Sequence, residues 1–152
     1  GAWTLPVRHG RWYLTGDTGY RGTDGNIFFV GRDDDIISSG GYRIGPTEVE
    51  NALMAHPAVA ECAVAASPDA LRGEVVKGFV VLREGHAPSD GLATALQQHV
   101  KQVIAPYKYP RRIDFVEVLP RTASGKLSRR LLRESEFSKA NEYVTASKGD
   151  PR

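Results

Sequence analysis

From Glu74 to Leu82 the chain is almost continuously apolar, with Val75, Val76, Phe79, Val80, Val81 and Leu82. An apolar run of this length without strict alternation fits a buried strand, so the segments around it must cover it. Val59 to Ala66 reads as a short strand before it, with Ser67-Pro68-Asp69 as turn chemistry between them. After it, Leu92, Leu96, Val100 and Val103 or Ile104 recur at helical spacing and stop before Ala105-Pro106. Arg112 to Leu119 reads as a third strand, and Leu127, Leu131 and Leu132 mark a short final helix. The tail beyond Ser138 is polar and reads as frayed.

Upstream, Pro46 sits where a helix begins without losing a hydrogen bond, and Val49, Ala52 and Leu53 share a face that ends at His56-Pro57. Ile36-Ile37 and Tyr42-Arg43-Ile44 can form a short hairpin. Trp12 to Thr15 reads as a strand, Asp24-Gly25 as a hairpin turn and Asn26 to Val30 as the return strand. That first block is too small to bury much and reads as a hairpin of a larger sheet. The succession of hairpin, helix, strand, strand, helix, strand and helix predicts an α+β fold, a small three-stranded sheet flanked by helices.

A single cysteine, Cys62, excludes an internal disulfide framework, and four scattered histidines offer no zinc spacing. No apolar run is long enough to span a bilayer. Charge is unevenly spread. Gly31 to Glu50 holds five acids (Asp33, Asp34, Asp35, Glu48, Glu50) against Arg32 and Arg43, a net −3. Lys101 to Arg133 holds nine bases against Asp114 and Glu117, a net +7. Such a basic half fits a phosphate-bearing partner, or a solvated face.

Three places could carry chemistry. Gly31 to Pro46 runs from a charged cluster into Ser38-Ser39-Gly40-Gly41, a turn that lets another molecule approach the backbone. Ser124-Gly125-Lys126 puts a lysine on a polar loop, either simply solvated or available to a developing anion; the glycines of a Walker loop are absent. Asp17, after Thr15-Gly16, is a turn-capping carboxylate or one that accepts bonds from vicinal hydroxyls. Lys101, Lys108, Tyr109, Arg111 and Arg112 mix bases with rings, which suits a nucleotide.

Four ordered segments, Tyr13 to Asp17, Gly31 to Pro46, Ser67 to Glu74 and Leu119 to Lys126, resemble the adenylate-forming acyl-CoA synthetases of the AMP-dependent synthetase and ligase family. Ala105-Pro-Tyr-Lys-Tyr-Pro-Arg111, and Gly45-Pro46 with Glu48 to Leu53, look most like the medium-chain branch. The resemblance implies a ligase of fatty acid metabolism that joins a carboxylate to CoA through acyl-AMP, using ATP and CoA. It implies that residues 1–33 are the terminal hairpin segment of a large domain, 34–138 a mobile C-terminal domain and 139–152 a polar tail. Asp17 and Arg32 would then bind the ribose of ATP, Asp34 would be the hinge, and Lys126 and Arg43 would be catalytic. Gly40, Gly41 and Tyr42 would line the pantetheine path, with Arg72, Lys101, Tyr109 and Arg111 at the CoA nucleotide. Position 40 is glycine where the family often has serine.

By the same resemblance the ATP loop, the acid pocket and the main magnesium contacts belong to the absent large domain, and this chain alone is inactive. Lys126 would be a target for a lysine acetyltransferase, since acetylation removes its charge. The implied compartment is the cytoplasm, or the mitochondrial matrix in an animal. Alternatives are an adenylation domain of a peptide synthetase, an aryl-CoA ligase and, more remotely, a basic nucleic-acid-binding module. The last lacks any recognised motif, so no nucleic acid is expected.

Overall fold

The computed structural model describes residues 8–9 and 12–147. Strands β1 (Arg8–His9) and β2 (Trp12–Tyr13) form a minimal antiparallel pair. A longer hairpin follows from β3 (Asp17–Arg21) and β4 (Ile27–Arg32), and a single 3-10 turn, Asp33–Asp35, leads out of it. Then come β5 (Ile37–Ser39), β6 (Tyr42–Ile44), helix α1 (Pro46–Met54), β7 (Val59–Asp69) and β8 (Gly73–Leu82). Helix α2 (Asp90–Val103), a 3-10 turn at Pro106–Lys108, β9 (Arg112–Phe115) and α3 (Arg129–Ser147) complete the chain.

The apolar run is β8, and it is the centre of the main sheet. It pairs antiparallel with β7 along almost its whole length and parallel with β9 at Lys77↔Arg112 to Val80↔Phe115. The β5–β6 hairpin joins the same edge as β9 at the opposite end of β8, through Ser39↔Gly73. The α+β architecture is therefore the expected one, three main strands flanked by helices with a short hairpin attached.

Side chains leave β7 and β8 alternately, and each face has its own core. Cys62, Val64, Ala66, Val76 and Val80 pack on one side with Val49 and Leu53 of α1 and Leu96 and Val100 of α2. Ala63, Ala65 and Phe79 pack on the other with Leu119, from the segment after β9, and Leu132 of α3. Each fully buried valine or leucine contributes roughly 1.5–3 kcal/mol. Gly78 leaves room for Leu53 of α1: a Cβ there would lie 3.3 Å from Leu53 Cδ1. Ser89 caps α2 by accepting a bond from the Leu92 amide.

Several boundaries differ from the sequence reading. The strand opposite Ile27–Arg32 is Asp17–Arg21, not Trp12 to Thr15, because the Asp24-Gly25 turn is closed within Gly22 to Asn26 and sets Arg21 against Ile27. Helix α1 ends at Met54, two residues before His56. Ser67-Pro68-Asp69 is strand, not turn. The turn lies just after it, where Asp69 Oδ1 accepts the amides of Leu71 and Arg72. Strand β9 is short, ending at Phe115. The final helix is long, running to Ser147 through much of what reads as a frayed tail. Residues 1–7, 10 and 11 of the terminal segment and 148–152 of the tail lie outside the described residues.

Besides Leu132 and Phe137 in the cores, a charge cluster around buried Glu136 holds α3. Glu136 accepts bonds from Ser67 Oγ and Lys77 Nζ, both at 2.9 Å, and Lys77 also meets Asp114 at 2.7 Å. Burial raises the Glu136 pKa, but the bonds from Lys77 and Ser67 outweigh it and hold the carboxyl below its ordinary 4.5. A lowered folded-state pKa adds stability that is complete above the unfolded value and is lost as pH falls through the folded one. Acid titration of unfolding should therefore be flatter below pH 4.5 in Glu136→Gln than in the parent. Equal slopes in the two proteins would refute this.

Candidate functional site

Every residue of the Asp33–Asp35 turn is held by a different arginine. Arg43 on β6 bonds Asp33 Oδ1 at 2.8 Å. Arg32, the last residue of β4, lies 3.3 Å from Asp34 Oδ1, and Arg133 of α3 donates to the Asp34 carbonyl at 3.2 Å. Arg129 of α3 meets Asp35 at 3.3 Å and grips both oxygens of buried Glu50, at 2.8 and 2.6 Å. Those bonds to Glu50 raise the Arg129 pKa further, so the guanidinium is permanently charged. Arg133 reaches on to Glu74 at 2.9 Å, and Glu74 accepts the Ser38 amide. A water-accessible cleft of about 410 Å³ opens beside the turn, lined by Asp33, Asp34, Arg43, Glu74 and Arg133 among others.

Asp17 and Arg32 are register partners in the β3–β4 hairpin, and their side chains lie 3.8 Å apart. The amide of Asp33 bonds the Gly16 carbonyl, tying the turn to the start of β3. A carboxylate and a guanidinium side by side and about half-exposed can engage two neighbouring hydroxyls.

The β5–β6 hairpin turns through Gly40 and Gly41, at φ +55° and +86°. Arg72, from the β7–β8 turn, lies against it: a Cβ on Gly40 would sit 3.0 Å from Arg72 Nη1. Next in sequence, Tyr42 stacks on Tyr107 with ring centres 4.4 Å apart. Two residues on, Tyr109 is flanked by Lys101, 4.1 Å from its ring centre, and by Arg111, which also donates to its hydroxyl at 3.1 Å. Thus Gly40, Gly41, Tyr42 and Arg72 form one group, Lys101, Tyr109 and Arg111 another, and the Pro106–Lys108 turn joins them. An ion pair between Lys108 and Glu48 fastens that turn to α1.

Lys126 lies elsewhere. Its loop is closed by Thr122 N to the Lys126 carbonyl at 2.7 Å and by Gly125 N to the Thr122 carbonyl, and it is anchored by Arg121 to Glu61 on β7. The backbone is fixed while the exposed ammonium makes no hydrogen bond or ion pair among the described residues. Because β9 runs parallel to β8, this loop leaves at the Leu82 end of the sheet. The glycine turn sits at the Gly73 end. Strand β8 has ten residues, which makes it roughly 30 Å long.

The basic half does not face one partner. Lys108, Arg112, Arg121, Arg129, Arg130 and Arg133 are all paired with carboxylates. Among the described residues the bases of this segment without a carboxylate partner are Lys101, Arg111 and Lys126. Sequence reasoning missed Tyr107, Glu50, Arg129 and Arg133. For Tyr107 a signal existed, an aromatic between Pro106 and Lys108 in a basic stretch; for the Glu50–Arg129 pair none did. Burial raises the Cys62 thiol to a pKa of about 12, with Glu50 and Glu61 adding to the effect, so it is no nucleophile. No group of three or more His, Cys, Asp or Glu among the described residues could hold a metal ion, and no helix among them is long and apolar enough to cross a membrane.

Comparison with known proteins places the chain in a family. Residues 48–126 match the AMP-binding enzyme C-terminal domain. The chain is 53% identical over 136 residues to the mitochondrial acyl-coenzyme A synthetase ACSM3 of Mus musculus, covering 88% of this chain and 23% of that protein. It is 58% identical over 131 residues to human ACSM2B, also mitochondrial, covering 84% and 22%. Among solved structures, a Brucella canis acyl-CoA synthetase superposes with a TM-score of 0.69 at 51% identity, over 89% of this chain and 25% of that one. The o-succinylbenzoate CoA synthetase of Bacillus subtilis, in complex with its acyl-adenylate intermediate, gives 0.73 at 39% identity over 82% and 25%. The chain therefore spans about a quarter of the length of these relatives, and it belongs to the family of AMP-binding enzyme C-terminal domains.

Proposed function

We propose that the chain is the C-terminal part of an ATP-dependent acyl-CoA ligase, inactive without its large domain. The carried-over reaction has two steps. A carboxylate oxygen attacks the α-phosphate of ATP and pyrophosphate leaves; the thiol of CoA, losing its proton, then attacks the acyl carbonyl and AMP leaves. Residues 1–33 would belong to the large domain, 34–138 would turn about Asp34, and 139–152 would be an appended tail. Asp17 and Arg32 would hold the ribose. Lys126 would neutralise charge between the carboxylate and the α-phosphate in the first step. After rotation, Gly40, Gly41 and Tyr42 would line the pantetheine, Arg43 would approach the acyl-phosphate, and Arg72, Lys101, Tyr109 and Arg111 would take the CoA nucleotide. Magnesium would be held mainly by the large domain.

The observation that carries this reading is the set of bases without a carboxylate partner. In a segment where most bases are spent on internal carboxylates, Lys101, Arg111 and Lys126 are left available, at places that the two steps would use. The identity to mitochondrial acyl-coenzyme A synthetases supports the medium-chain branch and a place in fatty acid metabolism. It also supports the matrix as the compartment for an animal source, with the cytoplasm otherwise. Acetylation of Lys126 would switch the first step off.

Calorimetric titration of the full-length enzyme tests the nucleotide assignment. CoA should bind more tightly than dephospho-CoA, and Lys101→Ala should weaken CoA roughly tenfold while leaving ATP unaffected. A variant that still discriminates the two thiols as the parent does would place the 3′-phosphate elsewhere.

A further inference from the structure

We infer that Tyr107 is a positioning residue for thiol transfer, holding the Gly40-Gly41-Tyr42 turn in place through its ring. This rests on the reading above that the glycine turn lines the pantetheine path. The turn is held on its Ser38–Gly40 side by Glu74, by the Ser39–Gly73 pairing and by Arg72, but has little to fix it on its Gly41 side. Both glycines are exposed with positive φ, nothing lies within 4 Å of a Cβ built on Gly41, and the hairpin contributes only three register pairs. Consecutive glycines at a point where a chain must pass have many alternative conformations. What restrains the Gly41 side is the residue that follows, Tyr42, whose ring lies on that of Tyr107 at 4.4 Å and 22°.

Tyr107 is itself well anchored. It is the middle residue of the Pro106–Lys108 turn, where Pro106 limits the backbone and the Tyr109 amide closes the turn on the Pro106 carbonyl. The Lys108–Glu48 ion pair fastens the turn to α1. On its far side, Arg111 is tied to the sheet through its amide to the Val76 carbonyl. The ring of Tyr107 thus transmits the position of a rigid segment to a loose one. Both tyrosines remain about half-exposed, at 54% and 45%, which is more than a stack serving the core would leave in solvent. The same segment carries Tyr109 between Lys101 and Arg111, so it sets the spacing between the two groups of candidate CoA residues.

The test separates the half-reactions in the full-length enzyme. Pyrophosphate exchange reports adenylation; single-turnover decay of preformed acyl-AMP, with CoA and with pantetheine as acceptors, reports transfer. Tyr107→Ala should slow transfer five- to tenfold, roughly the value of an aromatic pair, by the same factor with both acceptors, and leave exchange within about twofold. Tyr107→Phe should restore transfer, because the ring and not the hydroxyl makes the stack. Unchanged transfer in Tyr107→Ala, or an equal fall in both half-reactions, overturns the inference. Tyr42→Ala distinguishes the two levels. If it slows transfer while Tyr107→Ala does not, only the role of Tyr107 fails; if neither variant slows transfer, the glycine turn is not on the thiol path and both readings fail.

Discussion

Lys126→Ala in the full-length enzyme should lower acyl-adenylate formation by about 10²- to 10³-fold, the usual cost of deleting one preorganised charge at a transition state. Transfer from preformed acyl-AMP to CoA should change by less than about threefold, since the loop would be away from the site by then. Folding should be untouched, because the loop is held by Thr122, Gly125 and the Arg121–Glu61 pair rather than by the lysine side chain. Lys126→Arg restores charge but not reach or shape, and should recover only part of the loss. Lys126→Gln, which mimics acetylation, should behave as the alanine variant does. Pyrophosphate exchange checks all three, and near-normal exchange in Lys126→Ala would remove the lysine from the chemistry.

Arg129→Ala should be the most destabilising single change in the chain, costing about 3 kcal/mol or more. It would leave Glu50, 8% exposed and flanked by the core residues Val49 and Leu53, as an uncompensated negative charge. Glu50 would retain the Val64 amide at 2.9 Å and nothing comparable on its second oxygen. Denaturant midpoints measure the loss. The control is Arg129→Met with Glu50→Leu, where both charges go and apolar volume replaces them; it should recover most of the stability. A small loss in Arg129→Ala, or no recovery in the double variant, would mean that the pair is not the link between α3 and α1 that it looks to be.

These two positions also mark what a reader of the sequence can and cannot see. The loop that carries Lys126 is legible because Ser124-Gly125 is local turn chemistry, and its turn closes between Thr122 and Lys126. The central strand is legible for the same reason, since Val75 to Leu82 has no polar alternation to misread. Arg129 is not legible. Its partners are 79 and 94 residues away, and a basic run such as Arg129-Arg130-Leu-Leu-Arg133 looks the same whether its charges face solvent, phosphate or buried carboxylates. Asp17–Arg21 was misread because Asp and Gly at Asp17 and Gly19 are poor strand formers, and only the closed turn at Asp24-Gly25 fixes their register. The length of α3 is hidden by its low apolar content; besides Phe137, which packs on the core, its middle is held by polar contacts, through Glu136 to Ser67 and Lys77.

Placing the lysine loop and the glycine turn at opposite ends of one strand has an evolutionary consequence. Changes well apart in a structure tend to act additively. If the proposed roles hold, selection could retune the glycine-turn end, exchanging one thiol acceptor for another, while the lysine end kept its chemistry, and the reverse. The strand between them would then work as an insulator, letting a single small domain carry two separately heritable traits.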